Sequence, residues 1–157
     1  MKKLKKIVLL MAMYCLFVGG LNIHASEGMF EKMPQENINI VKSTDAIDVL
    51  ASPSLTACNL GIGIADNGLL MTFDTTATQI ANEIGVKNVI LQEKTLFGWK
   101  DIPVSNYYTR NSDWYSVDVV YTAATKGTTY RIKCTHYAKF GSTELTLNNT
   151  SSELTYN

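Results

Sequence analysis

Cys134 and His136 stand two residues apart in the run Thr128 to Lys139. On an extended strand that spacing puts both side chains on one face, within reach of each other, as a thiol nucleophile and its base require. A second reading competes with it. A thiol in an oxidising compartment pairs with another cysteine, and a strand histidine beside it is then only a hydrogen-bonded core residue. Paired carboxylates offer glycosidase chemistry, but Asp66, Asp74, Glu93, Asp101, Asp113 and Asp118 are scattered through turns and outer strand faces, and no spacing gathers two of them. Gly61-Ile62-Gly63 lacks the Lys-Ser/Thr and the helix start of a phosphate loop. Cys58, Cys134 and His136 are too few for a structural zinc site and lack its spacings, so neither metal nor cofactor is expected.

The strongest functional signal is aromatic. Phe97, Trp99, Tyr107, Tyr108, Trp114 and Tyr115 crowd around the polar loop Ser105 to Asp113, which also carries Arg110. Trp99 and Tyr115 are expected in the core. Tyr107, Tyr108 and Trp114, with Arg110, are the candidate binding residues, because exposed aromatics stack on sugars or enter protein pockets.

These groups must be positioned by strands. Cys58, Leu60, Ile62 and Ile64 alternate with polar or small residues, Asp66-Asn67-Gly68 turns the chain, and Leu69, Met71 and Phe73 return on a common face. Thr75 to Gly85 fits either a short helix or a crossover. Val86 to Lys94, with Val89-Ile90-Leu91 in succession, reads as a strand buried on both sides, and its partner runs from Trp99 through Ile102 and Val104. Trp114 to Tyr121 alternates. So does Thr128 to Lys139, with Tyr130, Ile132, Cys134, His136 and Ala138 on one face and Arg131, Lys133, Thr135 and Lys139 on a solvated one. Thr143 to Tyr156 closes the domain, with a break expected at Asn148-Asn149. About seven short strands and little helix predict an all-β antiparallel sandwich over residues 55–157.

The N-terminus sets the expected compartment. Lys2, Lys3, Lys5 and Lys6 precede an apolar run from Ile7 to Leu21, too short to span a bilayer, and Ala25 offers a small-residue cleavage site; residues 1–25 read as a secretory signal. Residues 26–54, mostly polar with Pro34 and Pro53, read as a flexible lead-in. The chain holds 14 Lys+Arg and 14 Asp+Glu; removing the four signal lysines leaves an exported form near −4. That balance gives no reason to expect nucleic acid or, after cleavage, membrane as a partner. Export leaves an even pair, Cys58 and Cys134, with one possible intramolecular bridge; two reduced core cysteines are the alternative.

Gly127-Thr128-Thr129-Tyr130-Arg131-Ile132-Lys133-Cys134, following Leu91-Gln92-Glu93-Lys94 and Gly98-Trp99, resembles small secreted β-sandwich domains of Gram-positive bacteria that have no assigned activity. The Tyr130 strand is similar to the sixth strand of fibronectin type III and immunoglobulin-like domains, where a Tyr near the strand start bonds back to the backbone. The resemblance implies an immunoglobulin-like fold and an extracellular location, and no chemistry. Cys58 departs from the immunoglobulin pattern by lying on the first candidate strand instead of the second. The expected function is a secreted, non-enzymatic module that binds a glycan or a cell-surface protein; a small enzyme or effector acting on cell wall or glycan is the rival.

Overall fold

A computed structural model describes residues 28–33, 40–46 and 52–157. Every regular element among them is a strand, and the strands form two antiparallel sheets. Sheet A has the order β1 (Phe30–Lys32), β8 (Ser112–Tyr121), β4 (Gly68–Ala81), β3 (Leu55–Ala65), β2 (Ile40–Ala46). Sheet B has the order β10 (Thr143–Thr150), β9 (Thr129–Phe140), β5 (Glu83–Thr95), β6 (Gly98–Pro103); β7 (Tyr107–Thr109) pairs with β5 and β11 (Leu154–Thr155) with β9.

Eleven strands replace the expected seven. Seven long ones, β3 to β6 and β8 to β10, match the predicted runs; β7 and β11 are two or three residues long, while β1 and β2 come from the polar stretch 26–54 and pair along the two edges of sheet A. Polar composition hid these two because an edge strand is held by backbone bonds to one neighbour. The signal segment lies outside the described residues.

The ambiguous stretch Thr75 to Gly85 is strand. β4 runs through it to Ala81, with its register against β8 slipping between Thr76 and Ala81. The run Val89-Ile90-Leu91 is not buried on both sides. Opposite Cys134 the pairing of β5 with β9 jumps from Lys87 to Ile90, a bulge in which Asn88 takes φ +52°. The bulge flips the alternation, so Ile84 and Val86 point inward before it and Val89 and Leu91 after it, while Ile90 faces out. The expected break at Asn148-Asn149 falls instead at Ser151, whose Oγ accepts the Ile132 amide at 2.9 Å.

The inward faces make a core in two apolar clusters. Leu60, Ile62, Leu69, Phe73, Val86 and Ile132 belong to the larger, and Leu55, Cys58, Ala77, Ile84 and Ala138 to the smaller. Thr75 and His136 fall in register between the clusters and are both fully buried. At the other end of β9, the Tyr130 hydroxyl accepts the Thr125 amide at 3.0 Å and pins the corner that carries the chain from sheet A to sheet B.

Cys58 and Cys134 are buried thiols and are not joined by a disulfide. The predicted bridge is therefore corrected. Cys58 packs in the smaller cluster on sheet A and Cys134 in the larger on sheet B, facing each other across the core as two reduced thiols. Asn149 Nδ2 bonds the Cys58 carbonyl at 3.0 Å, crossing between the sheets there. Burial, then the neighbouring Cys58, push the Cys134 thiol up to about 12. We expect iodoacetamide at pH 8 to leave both cysteines untouched in the folded protein and to label both once denaturant is added without reductant. Recovery of a cross-linked Cys58–Cys134 peptide pair would contradict this.

Candidate functional site

The outer face of sheet B gathers the ionic and amide side chains into three zones along β5 and β9. At one end Glu83 is the centre. Its carboxylate accepts the Tyr137 hydroxyl at 2.8 Å and Lys139 Nζ at 3.0 Å, and Arg110 Nε lies 3.7 Å away. The hydrogen bond from Lys139, then that from Tyr137, hold the Glu83 carboxyl below its ordinary range. Burial, then the Glu83 bond, push the Tyr137 phenol up. Glu144 joins through ion pairs to Lys87 and Lys139. The Lys87 and Lys139 ammonium groups sit 5.1 and 5.4 Å from the Tyr137 ring centre, distances at which the ring quadrupole attracts a cation.

The middle zone is a cleft of about 390 Å³ lined by Asn88, Ile90, Lys133, Cys134, Thr135, Asn148, Asn149 and Thr150. Asn88 and Ile90, on the β5 bulge where two residues oppose one on β9, line one side of it, and across the neighbouring β9–β10 ladder Thr135 Oγ1 donates to Asn148 Oδ1 at 2.8 Å. Lys133 is exposed at the rim and makes no ion pair among the described residues. The third zone, beyond Lys133, stacks the Arg131 guanidinium 4.1 Å over Trp99; Arg131 Nε also donates to Gln92 Oε1 at 2.8 Å, and Gln92 Nε2 donates to Asp101 at 2.6 Å.

The predicted binding residues do not form one patch. Tyr108 (47% exposed) and Arg110 lie together in the first zone, with the guanidinium 5.8 Å from the ring centre. Tyr107 is buried in the core with its ring 6.4 Å from Phe73, because the register of β7 sets it opposite inward-facing Val86 and sets Tyr108 opposite outward-facing Gly85. Trp114 is exposed but lies on β8, on the outward side of the other sheet. Trp99, expected in the core, is half-buried on the outer face of sheet B. Tyr115 packs against the core as expected.

Sequence reasoning missed Asn88, Thr135, Asn148 and Thr150. The signal was present in the phase change between Val86 and Val89, with Asn, tolerant of positive φ, at the point of change.

The Cys134-His136 pair is not arranged for catalysis. His136 is fully buried, and its Nδ1 is 2.7 Å from Thr75 Oγ1, which in turn lies 3.3 Å from the Gly85 carbonyl. A thiol raised to about 12 stays protonated near neutrality and is a poor nucleophile. Among the described residues no cluster of three or more His, Cys, Asp or Glu is placed to hold a metal. Comparison with protein-family models, with curated proteins and with solved structures finds no match to this chain.

Proposed function

We propose that this chain is an exported, non-enzymatic recognition module, an immunoglobulin-like sandwich of the fibronectin type III kind, that binds an acidic glycan in the sheet B cleft. Two features support the fold reading: the seven long strands divide as β3, β4, β8 against β10, β9, β5, β6, and Tyr130 near the start of the sixth of them bonds back to the chain five residues upstream. The signal-like N-terminus supports export, and with it the kinship to secreted Gram-positive sandwich domains.

One observation carries the ligand reading. Lys133, with no ion pair among the described residues, is a cation at the rim of a cleft lined mainly by Asn and Thr, the side chains that exchange hydrogen bonds with sugar hydroxyls. The cation selects a ligand carrying carboxylate, sulfate or phosphate. The exported chain is acidic as a whole, but its charge is not evenly spread, and this cleft is locally basic.

A screen of neutral and acidic oligosaccharides tests the proposal. Acidic ligands should bind, more weakly as salt rises, and Lys133→Ala should weaken binding by about tenfold or more, the usual worth of a hydrogen bond to a charged group. Because Lys133 is exposed, thermal stability should hardly move. Tyr108→Ala, one zone away, should have a smaller effect. If wild type retains no acidic glycan, or Lys133→Ala retains it equally, the reading fails.

A further inference from the structure

The turn between β5 and β6 presents Leu96 and Phe97, 96% and 100% exposed, as neighbouring side chains at a convex tip. Isolated exposed apolar residues are ordinary, whereas two large ones side by side on a projecting turn cost solubility and call for an explanation. The tip is ordered. Thr95 Oγ1 donates to the Gly98 carbonyl at 3.0 Å and accepts the Phe97 amide at 3.3 Å, and Gly98 takes φ +132°, which a side chain would disfavour. The backbone entropy of presenting these side chains is thus already spent before any partner arrives.

Directly beneath the tip, Lys94 pairs in register with Trp99. The Lys94 ammonium is 5.4 Å and the Arg131 guanidinium 4.1 Å from the Trp99 ring centre, on the outer face of sheet B. Going down from the tip, the order is therefore apolar pair, then an indole flanked by two long cations, then charged and amide groups. That order matches the depth profile of a bilayer surface, where aliphatic and phenyl groups reach the acyl chains, indole rings settle at the interface and lysine or arginine stems extend to the headgroups.

At the same end of the sandwich the corner leading into β9 is tied down, with the Thr122 amide bonded to the Met29 carbonyl at 2.9 Å, so the tip projects from an ordered base.

We propose that the β5–β6 tip is a membrane-docking element, with Leu96 and Phe97 entering the interfacial layer of a lipid bilayer and Trp99 lying at headgroup depth. The proposal does not depend on the glycan reading, which uses the middle of the same sheet face. Lys94 is ion-paired with Glu153 and Lys100 with Glu93, so anionic lipid is not required and insertion rests on apolar contact.

The test uses the full chain in a Trp114→Phe background, which leaves Trp99 as the sole indole, reconstituted with phosphatidylcholine vesicles. Trp99 emission should shift to the blue, and acyl chains brominated near the headgroup should quench it. The pair Leu96→Ser and Phe97→Ser should reduce the quenching by about tenfold or more while leaving thermal unfolding unchanged, because removing two apolar side chains from the layer costs at least that factor. Ile80→Ser, at the opposite end and 70% exposed, should have no effect. Trp99 left unquenched in wild type, or quenched equally in the tip variant, overturns the proposal. So does quenching that appears only with phosphatidylglycerol present and disappears in high salt. If the tip variant instead changes the oligomeric state without any quenching in wild type, the tip serves a second copy of the chain and the bilayer reading is wrong.

Discussion

Gly85→Ala is expected to destabilise the protein by about 3 kcal/mol or more, the most damaging methyl that could be added to sheet B. A Cβ built at Gly85 would collide with the Tyr107 carbonyl oxygen and stand 2.6 Å from Tyr108 Cα. Both are backbone atoms, so no rotamer change relieves the clash. The alternative is separation of β7 from β5, which would break the Ile84-Thr109, Gly85-Tyr108 and Val86-Tyr107 pairs and pull Tyr107 out of the core. It would also disturb the Gly85 carbonyl that lies 3.3 Å from the Thr75 hydroxyl. Gly141→Ala is the comparison: Gly141 has φ +62° with open space around its Cβ position, so only left-handed strain of about 1 kcal/mol is expected. Urea unfolding of the two variants separates close approach from conformational strain. Equal, small losses would mean that β7 is not held where described.

Stability is also expected to fall by about 3 kcal/mol as pH drops from 6.5 to 4, through one buried histidine. Burial holds His136 down to about 4, against a smaller upward pull from Asp74. Thr75 explains why the neutral ring is tolerated. With Nδ1 protonated, the ring donates to Thr75 Oγ1 and the hydroxyl donates to the Gly85 carbonyl, so both hydrogen bonds are satisfied together. Nε2 is then a buried acceptor with no partner among the described residues, and protonating it would bury a charge that Asp74 only partly offsets.

The sign follows from linkage. The folded value lies below the ordinary 6.5, so between the two the unfolded chain binds a proton that the folded chain refuses. The stabilisation is complete above 6.5 and is lost as pH falls towards 4; a shift from 6.5 to about 4 corresponds to about 3 kcal/mol. His136→Asn keeps a side-chain donor for Thr75 but cannot titrate. It should be less stable than wild type at pH 7.5, with a much flatter profile between 6.5 and 4.5. Below that window Glu83 and Glu144, both held below their ordinary values by lysine partners, add their own loss in either protein. A wild-type profile as flat as that of the variant would show that His136 is not buried neutral.

The strands of this protein were legible because alternation is local. Tyr130, Ile132, Cys134, His136 and Ala138 declare one inward face within nine residues, and the structure buries all five. The same regularity concealed the exceptions. Val89-Ile90-Leu91 looks like a doubly buried strand until the bulge at Asn88 accounts for it, and Asn88 and Ile90 on that bulge line the cleft. Trp99 is expected in the core, but its register opposite Lys94 turns it outward, where Arg131 covers it.

The amino-acid order by itself determined that the described part of the chain is all β and which side chains of the regularly alternating strands face inward, since each depends on neighbours a few residues away; the corner role of Tyr130 came from the resemblance to fibronectin type III strands. That order could not determine that Tyr107 and Tyr108 part to opposite sides, that Trp114 belongs to the other sheet, or that Cys58 and Cys134 stay thiols. Nor could it pair His136 with Thr75, 61 residues away, or leave Lys133 without a counter-ion among the described residues. Those outcomes are set by strand order and register between distant segments. Periodicity fixes the direction of a side chain on its own strand, but only the packed sheets decide what stands opposite it.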